Sequence, residues 1–340
     1  ILPGFEETAE WLASRNDYDL VFCNYVFLSK LLTKFDNNVA KVIDTHDQFG
    51  GRAEFLRRHG SRVEFFYTTK REEIRGLDRA DLVLAIKDQE AAYFAKASKA
   101  RVLTLPYFED SKPVSHQIET PAPHPGVRLG FFGSSNWINR TNFLDFIKEY
   151  KRHDRFAKGD YLNIRVYGSL CDRLGDFECP GVTICGRVDT VETFYNDVDC
   201  VLIPQHFSTG LKIKLAEAMS FHVPILAHTH AAEGLIADQF DDVVHPSFAA
   251  LIDACFDLQD RPEQLVDLGG SVRRAQQILI DDTQKAIQGI DDFLKMSRSS
   301  HAIIFDSDFL TQSPFYFCAL RSICVGLSPK SRTRLIGVGT

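Results

Sequence analysis

The chain has 340 residues, a formal net charge of -7 at neutral pH, a hydrophobic share of 44% and a charged share of 25%. That is the balance of a folded globular protein long enough for two hydrophobic cores, and it excludes a disordered or fibrous chain. Excess acid also argues against a general nucleic-acid binder, so any anion site must be local.

In chain order, short β-branched and aromatic runs alternate with helical patterns: "DLVFCNYVF" (19–27), "AKVIDTHD" (40–47), "ADLVLAI" (80–86) and "ARVLTLP" (100–106). This rhythm predicts βαβ units around a parallel sheet buried on both faces. Residues 1–110 are therefore read as an α/β domain. The segment 111–126, rich in Pro, Ser and His, reads as a linker. The alternation restarts with "VRLGFFGSS" (127–135), "LNIRVYGS" (162–169), "GVTICG" (181–186), "DCVLIPQ" (199–205), "VPILAHT" (223–229) and "DDVVHPS" (241–247), and predicts a second α/β domain over 127–260. Helical periodicity follows over 261–296. The tail, 297–340, fits neither domain; it carries Arg321, Lys330, Arg332 and Arg334 with no acid after Asp308. A loosely packed terminus and a basic arm touching a partner or anionic lipid are its two readings.

Eight cysteines show no C-x-x-C pairing, and Cys23, Cys185 and Cys200 lie in or beside apolar runs, so buried thiols in a reducing cytoplasm are expected. No apolar stretch is long enough to span a bilayer. The chain opens Ile1-Leu2-Pro3.

The chemistry concentrates at strand-to-helix turns. After "CVLIP", the residues "QHFSTG" read as a turn and "LKIKLAEAM" as a helix start, with Leu211, Leu215 and Ala218 on one face. Gly210 lets the backbone approach a ligand, and first-turn N–H groups point at an anion. Lys212 or Lys214 adds a full positive charge, and Glu217 is placed to accept two ribose hydroxyls. A second such turn, "RLGFFGSSNWINRTN" (128–142), puts Gly133, Ser134 and Ser135 directly after the first strand of the same domain. Two such turns in one domain suggest a nucleoside diphosphate, and between two open α/β sheets its site is expected in the intervening cleft. No Ser-His-Asp or Cys-His set is evident. Asp197-Val198-Asp199 spells a D-x-D pattern, but it precedes a buried strand; the reading is structural, with no metal.

Together the stretches "YDLVFCNYVFLSKLL", "KVIDTHDQFGGR", "LDRADLVLAIKDQEAAYF", "GFFGSSNWIN" and "GVTICGRVDTVETFYNDVDCVLIPQHFSTGLKIKLAEAMSFHVPILAHTHAAEGL" resemble the GT-B glycosyltransferases of the retaining, GT4-like group, from about Tyr18 to Leu235. The resemblance implies two Rossmann-like domains facing across a cleft, acceptor side first and donor side second. It also implies transfer of a hexose or deoxysugar from a nucleotide-sugar donor to a saccharide or lipid-linked acceptor, as in polysaccharide biosynthesis. With the D-x-D read as structural the transfer is expected to be metal-independent, the thiols place it in the cytoplasm, and the basic tail offers a peripheral contact at the inner membrane face. No cofactor is expected beyond the donor substrate. By position, Gly133 and Ser134 line the diphosphate turn, Lys212 meets the phosphates, Glu217 the ribose, and His46 and Asp47 lie near the donor sugar. Arg187, in "CGRVD", reaches phosphate or base on one reading and forms a surface salt bridge on the other.

Two departures stand out. Where the family has a second Glu, eight positions before Glu217, this chain has Thr209. The Gly-rich turn expected well upstream of "YDLVF" is replaced by "ILPGFEETAEWLASRN", so the acceptor-side domain reads as incomplete. An epimerase or phosphorylase on the same fold, and a catalytically silent nucleotide-sugar or partner-binding relative, stay open as alternatives.

Overall fold

The structure, a computed structural model, describes residues 5–15, 18–58, 60, 63, 66–107, 112, 126–208, 213–235, 240–296, 302–307 and 333–338. The chain divides into two compact units, Ile1–Tyr107 with Asp281–Thr340, and Phe108–Ile280.

Helix α1 (Phe5–Ala13) leads into β1 (Leu20–Asn24), which is buried throughout. The apolar run continues to residue 27, yet the strand stops at Asn24. Tyr25 turns to φ +65°, its amide donates to the Asp44 carbonyl at 2.8 Å, and a 3-10 helix, Val26–Lys34, takes over. Then come β2 (Ala40–Asp44), α2 (Arg52–Arg58), α3 (Lys70–Leu77), β3 (Leu82–Ala85), α4 (Asp88–Ala97) and β4 (Arg101–Thr104). The Thr69 hydroxyl caps α3 by accepting from the Glu72 amide, satisfying a donor the helix leaves open.

The second unit runs β5 (Arg128–Phe132), α5 (Trp137–Tyr150), α6 (Asp154–Ala157), β6 (Asn163–Tyr167), a 3-10 turn, β7 (Val182–Gly186), α7 (Val191–Asp197) and β8 (Cys200–Ile203). It continues with α8 (Ile213–Ser220), β9 (Ile225–His228), α9 (Thr229–Ala232), β10 (Val244–His245) and α10 (Phe248–Asp260). Helix α11 (Gln264–Met296) passes from the second unit into the residues assigned to the first, and β11 (Ala302–Ser307) and β12 (Thr333–Val338) follow.

Among the described residues each unit has one six-stranded sheet, ordered β12-β11-β1-β2-β3-β4 and β10-β9-β8-β5-β6-β7, with every pairing parallel. The expected α/β class with two Rossmann-like units is what the structure has. Two short tail segments add strands at the β1 edge, with Leu20 opposite Ala302 and Cys23 opposite Phe305. Of the tail's basic residues, Arg321, Lys330 and Arg332 lie outside the described residues, as does most of the 111–126 segment.

In β1 the two-residue side-chain period sends Val21 and Cys23 to one face and Leu20 and Phe22 to the other. The first face packs with Leu31, Ile43, Val83 and Phe94, the second with Val42, Leu82, Leu84 and Ile290 of α11. Burying each such side chain stabilises the fold by about 1.5–3 kcal/mol. Three cysteines expected to be buried separate here: Cys23 and Cys200 are buried, whereas Cys185 is exposed. Its strand β7 is the sheet's edge, so a run that reads like a central strand is covered less completely. Among the described residues no helix is long and apolar enough to cross a membrane.

Candidate active site

All strands of a parallel sheet deliver their carboxyl ends to one edge, where ligands bind in open α/β folds. In the second unit the turn after β5 and the segments flanking β8 meet there. Asn139, 3% exposed, joins them. Its Nδ2 donates to the Ser134 hydroxyl at 2.7 Å and the Ser134 carbonyl at 3.2 Å, and its Oδ1 accepts from Lys214 Nζ and Gln205 Nε2, each at 3.1 Å. Asn136 caps α5 by accepting from the Asn139 amide at 2.8 Å, which sets the first turn and aims the Asn139 side chain along the sheet edge.

Lys214 is half-buried, with its ammonium 5.8 Å from the Phe131 ring centroid. Burial pulls its pKa down to about 8, opposed by the negative charge of Glu217. Lys214, Glu217, Gln205, Tyr195 and Phe131 line one narrow pocket. Glu217 Oε1 accepts from the Tyr195 hydroxyl at 3.0 Å, so the carboxylate expected to meet a ribose is held there by a ring. Tyr195 in turn stacks on Phe221 with centroids 4.1 Å apart.

The glycine turn works differently from the free-amide picture. Gly133 N donates to the Tyr167 carbonyl at 2.9 Å and Ser135 N to the Ser169 hydroxyl at 2.9 Å, so both amides are used within the fold. A Cβ on Gly133 would lie 2.9 Å from Leu170, and one on Gly168, at φ +91°, would lie 2.4 Å from the Gly133 carbonyl oxygen. These glycines let the turns after β5 and β6 touch. Ser134 and Ser135 remain exposed at the rim.

Thr209, Gly210, Leu211 and Lys212 lie outside the described residues. Beside them, Ser208 Oγ is 3.1 Å from His230 Nε2, and His230 Nδ1 is 3.2 Å from Glu233 Oε1. The sequence shows no Ser-His-acid set because these residues come from segments that only the β8–β9 pairing brings together. Glu233 is exposed, so water screens its hold on the imidazole, and the chain of bonds orients the serine hydroxyl rather than building a desolvated nucleophile. His228 nearby is held well below its ordinary range, at about 4, chiefly by burial.

Arg187 forms an exposed ion pair with Asp172 at 2.5 Å, its side chain 70% exposed. Asp199 takes the Arg128 guanidinium at 2.6 and 2.9 Å, and Asp197 accepts from Arg165 at 2.6 Å and from the Tyr167 hydroxyl. The D-x-D carboxylates thus tie strand ends together.

In the first unit, His46 and Asp47 follow β2. His46 is at φ +57°, its side chain 7% exposed, with Nε2 3.2 Å from Asn24 Oδ1 and its ring 4.5 Å from that of Tyr25. Burial lowers its pKa to about 3, so the imidazole is neutral at pH 7. Asp47 is half-buried and paired with Arg52. Sequence reasoning missed Asn139, Gln205 and Tyr195. Only for Asn139 was there a local signal, a second Asn three residues after the cap in "SSNWIN".

Residues 126–261 match the family model described as glycosyl transferases group 1. Among solved structures, the chain is similar to TarM, with a TM-score of 0.62 and 12% identity over 86% of this chain and 58% of that one. It is similar to Anabaena Alr3699/HepE in complex with UDP, with a TM-score of 0.59 and 14% identity over 84% of this chain and 82% of that one. A glycosyltransferase from Rickettsia africae gives a TM-score of 0.57 and 12% identity over 86% and 80%. The chain therefore spans less than two thirds of TarM. A search of curated proteins finds no significant match. Residues 126–261, which hold the whole Asn139 cluster, match the glycosyl transferases group 1 model, within a chain whose fold is that of the GT-B structures.

Proposed function

We propose that the protein is a retaining, metal-independent glycosyltransferase of the hexosyltransferase type, moving a sugar from a nucleoside diphosphate donor to a saccharide or lipid-linked acceptor. The observation that carries this reading is the convergence of Ser134, Lys214 and Gln205 on Asn139 at one sheet edge. As the glycosidic bond breaks, negative charge grows on the departing diphosphate, and an ammonium already held in place stabilises it without reorganisation. Support also comes from the similar Anabaena structure, which is a complex with UDP. The ion-paired state of Asp197 and Asp199 fits a site that uses no metal. His46 and Asp47 supply the sugar-facing groups, a neutral imidazole serving as hydrogen-bond partner to a hydroxyl. Free cysteines among the described residues fit work in the cytoplasm.

The test is a melting-temperature panel with UDP, GDP and dTDP on the wild type, Lys214→Ala and Lys212→Ala. A nucleotide at a hundred times its Kd stabilises the folded state by about 2.7 kcal/mol. One nucleotide should raise the wild-type melting temperature and the lysine variants less. Silence from all three overturns the reading. Labelled donor then separates transfer from an isomerised donor or a sugar phosphate, and binding without turnover identifies a silent relative.

A further inference from the structure

The turn that carries His46 and Asp47 is held by a buried charged cluster to which the donor chemistry gives no role. Glu73, on α3 and 1% exposed, points one carboxylate oxygen at the turn; Oε1 accepts from the Phe49 amide at 2.6 Å and from the Gly50 amide at 3.0 Å. Arg52, 8% exposed, pairs with the Asp47 carboxylate, and its guanidinium lies 4.3 Å from the centre of the Phe49 ring. Asp47 Oδ1 also accepts from the Gln48 amide at 2.8 Å.

The turn needs such a hold. His46 and Tyr25, neighbours across the carboxyl ends of β2 and β1, both adopt positive φ, a conformation that costs a non-glycine residue about 1–2 kcal/mol. Strain of this kind persists only where the surroundings over-determine it. The hold is itself costly. Burial pushes the Glu73 carboxyl above its ordinary pKa and the negative charge of Glu90 adds to the rise, while the two amides and Arg52 oppose it. Among the described residues Glu73 Oε2 makes no hydrogen bond. Gly50 is cut to fit, because a Cβ there would lie 2.4 Å from Glu73 Oε2. A carboxylate sealed under a strained turn, with a glycine leaving room for it, is a poor choice for stability alone.

We propose that Glu73 is a positioning residue for the reaction: by clamping the Phe49 and Gly50 amides it fixes the turn from which His46 and Asp47 face the donor sugar, with Arg52 fixing the Asp47 carboxylate from the other side. This rests on the sugar-facing role given to His46 and Asp47. Glu73→Ala removes the clamp, whereas Glu73→Gln keeps an oxygen that accepts from both amides. The experiment measures sugar-transfer kinetics together with exchange of the Phe49 and Gly50 amide hydrogens in the wild type and both variants.

The expected result is a kcat for Glu73→Ala lowered about 10- to 100-fold, the penalty of a misplaced reacting group, with the donor KM within about twofold. Glu73→Gln should recover most of kcat, and both amides should exchange at least about tenfold faster in Glu73→Ala alone. A folded Glu73→Ala with wild-type kcat overturns the proposal, as does a rise in donor KM at unchanged kcat, or a Gln variant as impaired as Ala. If Glu73→Ala does not fold, Glu73→Asp, one methylene short of the amides, carries the same expectations. If the wild type transfers no sugar, the functional reading fails by itself and exchange judges the clamp. Unchanged protection in Glu73→Ala then overturns it, and lost protection supports it.

Discussion

Replacing Asn139 should separate the structural work of the second-unit cluster from its work on a ligand. Asn139→Ala deletes the two bonds donated to Ser134 and the two accepted from Lys214 and Gln205. Three of these are neutral and contribute about 1 kcal/mol each; the one from the ammonium contributes about 1.5–3 kcal/mol before allowance for Lys214 turning toward water. The neutral bonds alone set a loss of about 3 kcal/mol for the second unit, and the ammonium bond raises it toward about 5–6 kcal/mol to the extent that Lys214 stays buried. Asn139→Asp keeps both acceptor contacts and loses the donors to Ser134, so it should cost only about 1–2 kcal/mol. It also places a carboxylate against Lys214, so nucleotide affinity should fall at least about tenfold although the unit stays folded. Urea denaturation followed at Trp137, two residues from the substitution, in a Trp11→Phe background reports the unit selectively, and calorimetry gives the affinity. The reasoning fails if Asn139→Ala unfolds within about 0.5 kcal/mol of the wild type, or if Asn139→Asp binds the nucleotide as tightly as the wild type does.

Three further outcomes follow. His46 has its pKa lowered from 6.5 to about 3, so the folded state binds fewer protons between those values; stability is fully present above pH 6.5 and falls as pH drops toward 3. At about 1.4 kcal/mol per unit the loss reaches roughly 4–5 kcal/mol, and urea titrations from pH 7 to 4 should show His46→Gln with a much flatter slope. Lys214, with its pKa near 8, should take up a proton when a diphosphate binds, so affinity is level below pH 8 and weakens above it, up to about tenfold per unit; calorimetry in buffers of different ionisation enthalpy reads the uptake directly. In the native protein Cys185 should react with maleimide well before Cys23, Cys200 or Cys255, as read by peptide mass spectrometry; equal rates would contradict the placement of β7 at the sheet edge.

The alternation of strands and helices was legible because a parallel strand buried on both faces is a nearly unbroken apolar run, and "LVFCN", "RLGFF" and "CVLI" are such runs. What a run cannot show is where the backbone reverses. Tyr25 looks like one more aromatic in "LVFCNYVF", yet its positive φ ends β1. Nor does a run reveal its rank in the sheet: "VTICG" resembles the central strands but forms an edge, which exposes Cys185. The Gly133 turn was legible as a place of close approach. Its use was not, because whether the Gly133 amide meets a ligand or the Tyr167 carbonyl depends on a strand pairing some 30 residues away. Helical spacing likewise put Lys212 and Lys214 at the same helix start, and burial singles out Lys214 among the described residues.

Magnitude decides which cation matters in a chain of net charge -7. Arg187 has a permanent charge, but it stands in water beside Asp172, where high dielectric and a ready partner leave little attraction for a third group. Lys214 has a charge that burial makes costly to hold, and the same burial raises the value of an anion beside it. At about 4 Å the attraction is roughly 1 kcal/mol in bulk water and about 4 kcal/mol at the effective dielectric of a site near a protein surface. Asn139, itself held by Gln205, fixes the ammonium through Oδ1, so the charge need not move into place as the reaction proceeds. A half-buried lysine already short of compensation is therefore best paired by the group that gains charge as the reaction proceeds, and the chemistry of this unit should be sought around Lys214 rather than at the more exposed arginine.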